Sequence, residues 1–176
     1  MSLTLVDSLD ALLVFGNTTE FVWAADWLSR HLSFDLDVRV NVFEVTIRGL
    51  GGLLSAHALL TRSAALGAPL HAAYAGGLLA AALDLGRRLM PAFATPTGLP
   101  AAWVNLRSGV IPGDTRDTCT AGAGTLLLEF AALSAFSGDP TYEAAAARAL
   151  RALHARRSGR DLPGSTLNVD TGVRDG

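Results

Sequence analysis

Along most of this chain the apolar residues recur every three to four positions, which is the period of an amphipathic α-helix. The pattern predicts helices that cover about residues 3–15, 19–32, 42–62, 70–90, 121–137 and 140–157. The last of them has the clearest start, because Asp139 can cap it and Pro140 can take its first position. We therefore predict an all-α fold.

Two of the segments between predicted helices share a pattern that ends in a turn. "LPAAWVNLRSG" (99–109) and "LPGSTLNVDTG" (162–172) both read Leu-Pro, a spacer, and then Asn-x-x-Ser/Thr-Gly. Each follows a predicted pair of helices, which indicates a repeated unit of two helices and an extended loop. Such units rarely close a core alone. We therefore expect residues 1–176 to be a portion of one larger domain, truncated at both ends.

The composition excludes several classes of function. The 176 residues carry a net charge of −2, so we expect no surface for nucleic acid. All 14 positively charged residues are arginines, which excludes a P-loop lysine and a Schiff-base lysine. The single cysteine, Cys119, cannot form an internal disulfide or a cysteine-rich zinc site. We interpret it as a buried thiol.

A membrane span and a signal peptide are both disfavoured. Residues 63–83 contain no Asp, Glu or Arg. Pro69, His71 and several small residues nevertheless make this stretch a poor span. The first ten residues have no basic region and include two aspartates, unlike a signal peptide.

The helix predicted at 42–62 carries a charged pair within an apolar sequence. Glu44 and Arg48 are four residues apart and are therefore neighbours on one helical face. The same face continues through Gly51, Gly52 and Ser55. Another face is apolar and comprises Phe43, Ile47, Leu50, Leu54 and Ala58. We predict that the polar stripe lines a concave surface and that the apolar stripe packs on the helices behind it.

Two explanations of the charged pair remain open at this point. A surface ion pair on a helix stabilises it by about 0.2–0.5 kcal/mol, and we expect no more of Asp84 and Arg88, which have the same spacing. Alternatively, the pair belongs to a site. Each glycine within a helix costs about 1 kcal/mol relative to alanine. The glycines at 49, 51 and 52 therefore indicate that another helix or a ligand approaches the backbone closely.

Other polar residues in apolar helices have competing interpretations. Asp7 and Asp10 could act as an acid–base pair, but we favour a structural role at a helix start. Glu129 could face the same cleft as Glu44 or could pair with an arginine. We interpret His57 as a core or rim histidine.

Residues 17–19, Asn-Thr-Thr, form an acceptor sequence for N-glycosylation at Asn17. That sequence has a meaning only in a secreted chain or in a chain of the endoplasmic reticulum. The same residues would also suit the N-terminal cap of the second predicted helix.

Five stretches resemble, in order, the motifs of the class I α-1,2-mannosidases, glycoside hydrolase family 47. They are "TLVDSLDALLVFGN", "VFEVTIRGLGGLLSAH", "RLMPAFATPTGLPAAWVNLRSG", "LLLEFAALSAFSGDPTYEAAAARAL" and "LNVDTG". Within the family, "DTCTAGAGTLLLEF", "FGNTTEF" and "FDLDV" resemble the ER degradation-enhancing α-mannosidase-like branch. One departure is Ala101-Ala102-Trp103, where relatives usually have Tyr-Pro and a polar residue.

The resemblance implies a fold and a set of roles. The fold would be an incomplete (α/α)7 barrel of helix hairpins with long β-hairpin-like loops. Glu44 matches the catalytic carboxylate usually assigned as general acid, and Arg48 matches an arginine that contacts the sugar. Inversion of configuration needs a second carboxylate about 6.5–9.5 Å away. The family also uses calcium, and the resemblance implies that the second carboxylate and the calcium ligand lie outside this chain.

We therefore expect part of an enzyme that trims α-1,2-linked mannose from high-mannose N-glycans on misfolded glycoproteins. The resemblance implies location in the endoplasmic reticulum and a redox or chaperone partner there. Two alternatives remain: a glycan-binding or client-binding module of the same fold without turnover, and a truncated gene product without activity.

Overall fold

The computed structural model describes residues 2–162 and 164–175, and these residues are mostly helical. The helices are α1 (Leu3–Asp7), α2 (Leu9–Val14), α3 (Thr18–His31), α4 (Val42–Glu44), α5 (Gly51–Ala65), α6 (Gly77–Leu89), α7 (Thr120–Gly124), α8 (Leu127–Ser137) and α9 (Thr141–His154). A π-helical turn, Val45–Leu50, joins α4 to α5, and a 3-10 turn, Met90–Phe93, follows α6. The strands are β1 (Arg39–Asn41), β2 (Trp103–Asn105), β3 (Asp117–Cys119), β4 (Thr166–Asn168) and β5 (Arg174–Asp175).

The longer helices form hairpins that stack side by side. Helices α2 and α3, α5 and α6, and α8 and α9 pack on each other as successive hairpins. The first helices of neighbouring hairpins also touch, because α5 contacts both α2 and α8. The second helices α3 and α6 contact each other in the same way. The predicted repeat of helix pairs is therefore present, with one row of helices packed on another.

The core lies between the two rows. Its largest fully buried side chains include Phe21, Leu28, Leu50, Leu53, Leu78, Leu85, Leu89 and Phe130. Burying one such side chain stabilises a fold by about 1.5–3 kcal/mol. A second, smaller cluster lies beside β4 and consists of Leu99, Ala123, Leu153, Leu167 and Val169. On α3 and α6 these buried side chains recur at the spacing of one helical face.

The two loops with the shared Asn-x-x-Ser/Thr-Gly pattern form matching turns. Strand β2 pairs antiparallel with β1, and β4 pairs antiparallel with β3. In the first turn the Asn105 side-chain oxygen accepts hydrogen bonds from the backbone N–H groups of Arg107 and Ser108. In the second turn the Asn168 side-chain oxygen accepts hydrogen bonds from the backbone N–H groups of Asp170 and Thr171. Gly109 and Gly172 end the turns with φ of 83° and 72°, a conformation that favours glycine.

Several predicted helix boundaries are wrong. The helix expected at 70–90 begins at Gly77, because Gly76 before it has φ 86° and residues 66–76 are not helical. The helix expected at 3–15 is interrupted at Ser8, and the one at 121–137 is interrupted at residues 125–126. Asp139 still accepts a hydrogen bond from the N–H of Thr141, although α9 begins one residue later than expected.

The uncharged stretch 63–83 does not form one continuous helix, since its middle is irregular. A different segment of the described chain, Thr120–Ser137, has the length and hydropathy of a membrane span. That segment spans α7 and α8, which pack against α9. Core helices of soluble proteins satisfy the same criteria, so this is weak evidence for a span.

Candidate functional site

Glu44 is placed by a strand that runs directly into a helix. The N–H of Glu44 donates a hydrogen bond to the side-chain oxygen of Asn41, 3.0 Å away, which caps α4. A carboxylate in the first turn is also favoured by the partial positive charge at a helix N-terminus. The local sequence therefore holds Glu44 where its side chain is about half exposed, with a relative accessibility of 47%.

Arg48 connects Glu44 to the first helix. Its Nε donates to Glu44 Oε2 at 2.9 Å, and its Nη1 lies 3.2 Å from Asp7 Oδ2. The hydrogen bonds to Glu44 and then to Asp7 raise the pKa of the arginine above its usual value. The predicted Glu44–Arg48 contact is confirmed. The helix-start role expected for Asp7 is wrong, because Asp7 is the last residue of α1 and its carboxylate binds Arg48.

Ser55 and Asp10 form a second polar contact on the same helix. The Ser55 hydroxyl donates to Asp10 Oδ2 at 3.0 Å. Asp10 lies in the first turn of α2, as a structural role at a helix start requires. Its carboxylate nevertheless reaches across to α5. Asp7 thus binds Arg48, and Asp10 binds Ser55. Arg48 and Ser55 belong to the predicted polar stripe and are seven residues apart.

The π-helical turn between α4 and α5 changes which residues share a face. A π turn has one extra residue per hydrogen-bonded turn, so every later residue is rotated from its α-helical position. Gly52, predicted on the polar stripe, is instead buried, and Ile47, predicted on the packed face, is partly exposed. That part of the prediction is wrong, because it assumed a regular helix throughout.

The glycines have distinct surroundings. A Cβ on Gly52 would lie 2.5 Å from the carbonyl oxygen of Val6, so α1 packs directly on the backbone there. A Cβ on Gly49 would lie 3.2 Å from Leu85 Cδ2. A Cβ on Gly51 would make only ordinary contacts, 3.6 Å from Glu129 Cγ. A close helix therefore explains Gly52, whereas Gly51 faces the side chain of Glu129 on α8 at an ordinary contact distance.

Glu129 lies in a pocket between α5 and α8. The pocket has a volume of about 230 Å³ and is lined by Gly51, Leu54, Ser55, Ala58, Leu128, Glu129, Ala132 and Phe136. Burial raises the pKa of Glu129 above its usual value. Its buried Oε2 has no hydrogen-bond partner within the described part of the chain. The arginine pair is not found among the described residues, and Glu129 lines a pocket that Glu44 does not line, so the described structure does not bring the two carboxylates into one pocket.

A second pocket, which we call the hairpin pocket, opens beside Glu44. It has a volume of about 280 Å³ and is lined by Asn41, Val42, Phe43, Glu44, Ala101, Ala102, Thr118, Cys119 and Gly122. Its walls come from β1, β3 and the start of α7, so both antiparallel strand pairs contribute to it. Glu44 thus both lines this pocket and pairs with Arg48. Ser55 lines the pocket between α5 and α8 instead, so the described structure does not place the whole predicted polar stripe on one concave surface.

Cys119 caps α7 as Asn41 caps α4. The N–H of Gly122 donates to Cys119 Sγ at 3.2 Å. The expectation of a buried thiol is wrong, because the residue is exposed at the end of β3. The capping role could not be predicted, since cysteine is not a preferred capping residue.

His57 and Asn17 occupy positions of the kinds predicted for them. His57 is buried, its Nδ1 is 2.9 Å from the hydroxyl of Tyr74, and its ring meets Phe136 edge-on. Desolvation lowers the pKa of this histidine. Asn17 is exposed and caps α3, since its side-chain oxygen accepts a hydrogen bond from the N–H of Glu20.

The described residues do not fit a calcium site. Calcium binds six to eight oxygen ligands, and no group of three or more Asp, Glu, His or Cys side chains within residues 2–162 and 164–175 could hold a metal. Asp7 and Glu44 are paired with Arg48, and Asp10 with Ser55. The expectation that a calcium ligand lies outside this chain stays a prediction.

A family model described as glycosyl hydrolase family 47 matches residues 1–175. Alpha-mannosidase I MNS5 of Arabidopsis thaliana is 52% identical over 97% of this chain and 29% of the relative. The human ER degradation-enhancing alpha-mannosidase-like protein 2 is 48% identical, again over 97% and 29%.

A solved structure agrees with these relatives. An alpha-1,2-mannosidase from Trichoderma reesei superposes with a TM-score of 0.83 and 27% sequence identity. The match covers 97% of this chain and 36% of that chain. The chain thus spans about a third or less of the length of these relatives. The helix hairpins, the paired turns and the family model agree, and the chain belongs to glycosyl hydrolase family 47.

Proposed function

We propose that residues 1–176 are an N-terminal portion of the catalytic domain of an α-1,2-mannosidase and form part of an (α/α)7 barrel. The observation that carries the proposal is the position of Glu44, which is paired with Arg48 at the rim of the hairpin pocket. The names of the Trichoderma and Arabidopsis relatives support α-mannosidase activity. The remainder of the barrel would come from sequence that corresponds to the rest of those relatives.

In this proposal Glu44 is the general acid and Arg48 binds the sugar. An acid of this kind gives its proton to the glycosidic oxygen as the bond to the leaving group breaks. Arg48 binds Glu44 through Nε. Its Nη1 can donate to a sugar hydroxyl when the hydrogen bond to Asp7 breaks. Inversion also needs a base about 6.5–9.5 Å from the acid to activate water. We propose that the rest of the domain supplies this base.

We further propose that the substrates are high-mannose N-glycans on misfolded glycoproteins in the endoplasmic reticulum. The names of the human ER degradation-enhancing relative and of its mouse counterpart support this location. A redox or chaperone partner of the same compartment belongs to this proposal. Glycosylation of Asn17 also fits it, because the residue is exposed and caps α3 through its oxygen. Its amide nitrogen, where N-glycans attach, donates no hydrogen bond to the described residues.

A graft tests the catalytic proposal. Residues 1–175 replace the matching segment of the Arabidopsis relative, and release of mannose from an α-1,2-linked oligosaccharide is measured. We expect turnover by the graft and a loss of about 10²–10⁴-fold in rate for Glu44→Gln. The matched control is Asp84→Asn, which removes a carboxylate from an i,i+4 pair with Arg88 outside the site and should leave the rate unchanged.

The outcomes separate the alternatives. Equal rates for the graft and its Glu44→Gln variant would refute the catalytic role of this residue. A folded graft that binds the oligosaccharide in calorimetry but releases no mannose would favour a glycan-binding module of the same fold. A folded graft with neither property would favour an inactive product.

A further inference from the structure

Trp103 lies on the outward face of the β1–β2 pair, next to the hairpin pocket. Its Cα is directly opposite Asn41 in the antiparallel register. Opposed residues of an antiparallel pair share a face, and alternate residues point the other way. Val40 and Val104 fill that other face and are buried. The indole therefore shares the outer face with Asn41, and the structure leaves it partly exposed.

A charged pair fixes the ring in this position. The guanidinium carbon of Arg39 lies 3.7 Å from the centroid of the Trp103 ring. Asp114 holds the same guanidinium through two hydrogen bonds, from Nε at 2.8 Å and from Nη2 at 3.0 Å. A planar guanidinium that two hydrogen bonds already hold in place loses less conformational entropy on stacking than a free one does. The guanidinium thus covers one face of the indole and holds the ring rigid, so a ligand can stack only on the opposite face of this partly exposed ring.

Residues that line the hairpin pocket connect Trp103 to Glu44. Asn41, opposite Trp103, both lines the hairpin pocket and caps the helix that carries Glu44. Ala101 and Ala102, the two residues before Trp103, also line the pocket and have small side chains. The carbonyl of Ala102 accepts the N–H of Val42 at 2.9 Å, which fixes this segment against the start of α4. The ring, the pocket and the acid therefore follow one another along one surface.

This combination suits a carbohydrate. One face of a pyranose ring consists of C–H groups that pack on an indole, while its hydroxyl groups bind polar groups at the rim. We propose that Trp103, held by Arg39 and Asp114, is the stacking platform for an outer sugar of the mannose oligosaccharide whose terminal linkage lies at Glu44. The inference rests on the proposed function, because it places the platform relative to that linkage. The competing explanation is a structural clamp in which Trp103 only packs on Arg39.

Kinetics on the grafted protein separate a platform from a clamp. The variant Trp103→Thr keeps a β-branched residue in the strand, and Trp23→Thr is the control, since Trp23 is 54% exposed on α3. We expect Trp103→Thr to raise KM about tenfold for a long high-mannose oligosaccharide, equivalent to about 1.4 kcal/mol. It should leave kcat and the KM for α-1,2-mannobiose unchanged, because the proposal places the stacked sugar outside the terminal disaccharide unit. The proposal would be overturned if Trp103→Thr had the same KM as the parent graft for the long oligosaccharide as well as for mannobiose.

A binding measurement keeps the test independent of turnover. In a Glu44→Gln graft with Trp23→Phe and Trp27→Phe, Trp103 is the one tryptophan from this segment. The reference is the same protein with Trp103→Phe. We expect a saturable fluorescence change with the long oligosaccharide that is absent from the reference and weaker with mannobiose. No difference from the reference would overturn the platform even if Glu44 proves catalytic. A saturable change would support it even if the graft releases no mannose.

Discussion

Gly52 shows how one missing side chain sets the position of a helix. A Cβ at this residue would reach the carbonyl oxygen of Val6, whereas a Cβ at neighbouring Gly51 would make only ordinary contacts. The sequence predicted a close approach but could not say which glycine required it. The Asp7–Arg48 contact was also beyond prediction, because 41 residues separate the two side chains. Local spacing alone was sufficient to predict the pair of Arg48 with Glu44.

The two glycines therefore respond oppositely to the same substitution. Gly52→Ala must displace the backbone of α1, and overpacking of this kind lowers the free energy of unfolding by about 1–3 kcal/mol. Gly51→Ala should raise it by up to about 1 kcal/mol, since alanine is the better helix former. Urea unfolding of both variants measures the difference. Equal destabilisation by the two would contradict the assignment of α1 as the close neighbour.

At the scale of elements, the irregular parts are those that the sequence predicted poorly. Hydrophobic spacing predicts the helix at 42–62 but not its π-helical turn at Val45–Leu50, because this spacing does not mark an extra residue in a turn. The late start of α6 follows from the left-handed conformation of Gly76, although the residues before it resemble a helix in composition. The two Asn-x-x-Ser/Thr-Gly turns were predicted as a repeat, because their chemistry is local.

The contact of α5 with α8 should make stability depend on pH through Glu129. Burial raises the pKa of this carboxyl in the folded state above 4.5, so the folded protein binds its proton more tightly than the unfolded chain does. The free energy of unfolding should therefore fall as the pH rises from about 4.5 through the folded-state pKa.

Replacement of the buried acid tests this pH dependence. Glu129→Gln should remove that decline, and replacement of the exposed Glu143 should leave it in place. Chemical unfolding at a series of pH values gives the comparison. An unchanged slope in Glu129→Gln would show that the acid is not desolvated.

For the whole molecule, the repeat of helix hairpins leaves an apolar surface beside the candidate site. Leu128 is 75% exposed and Phe136 is 39% exposed, and both line the pocket between α5 and α8. Contiguous exposed apolar surfaces mark places where other protein or a ligand binds. In the barrel that we propose, the rest of the domain would cover this surface.

The 176-residue chain should therefore bind a hydrophobic dye at this surface. We expect Leu128→Ser to reduce the dye fluorescence and Leu66→Ser to leave it nearly unchanged. Leu66 is similarly exposed, at 73%, but does not line the pocket. Fluorescence titration of the two variants gives the comparison. Equal reductions would contradict a localised apolar surface.

The proposed role of Glu44 as an acid in a cleft is tested by one variant through two measured quantities. Rate and unfolding free energy are determined together for Glu44→Gln in the grafted protein. The Glu44–Arg48 pair is about half exposed, so its loss should lower the unfolding free energy by at most about 1 kcal/mol. The loss of a general acid should lower the rate by about 10²–10⁴-fold. A variant that loses stability but releases mannose at the parent rate would contradict the account.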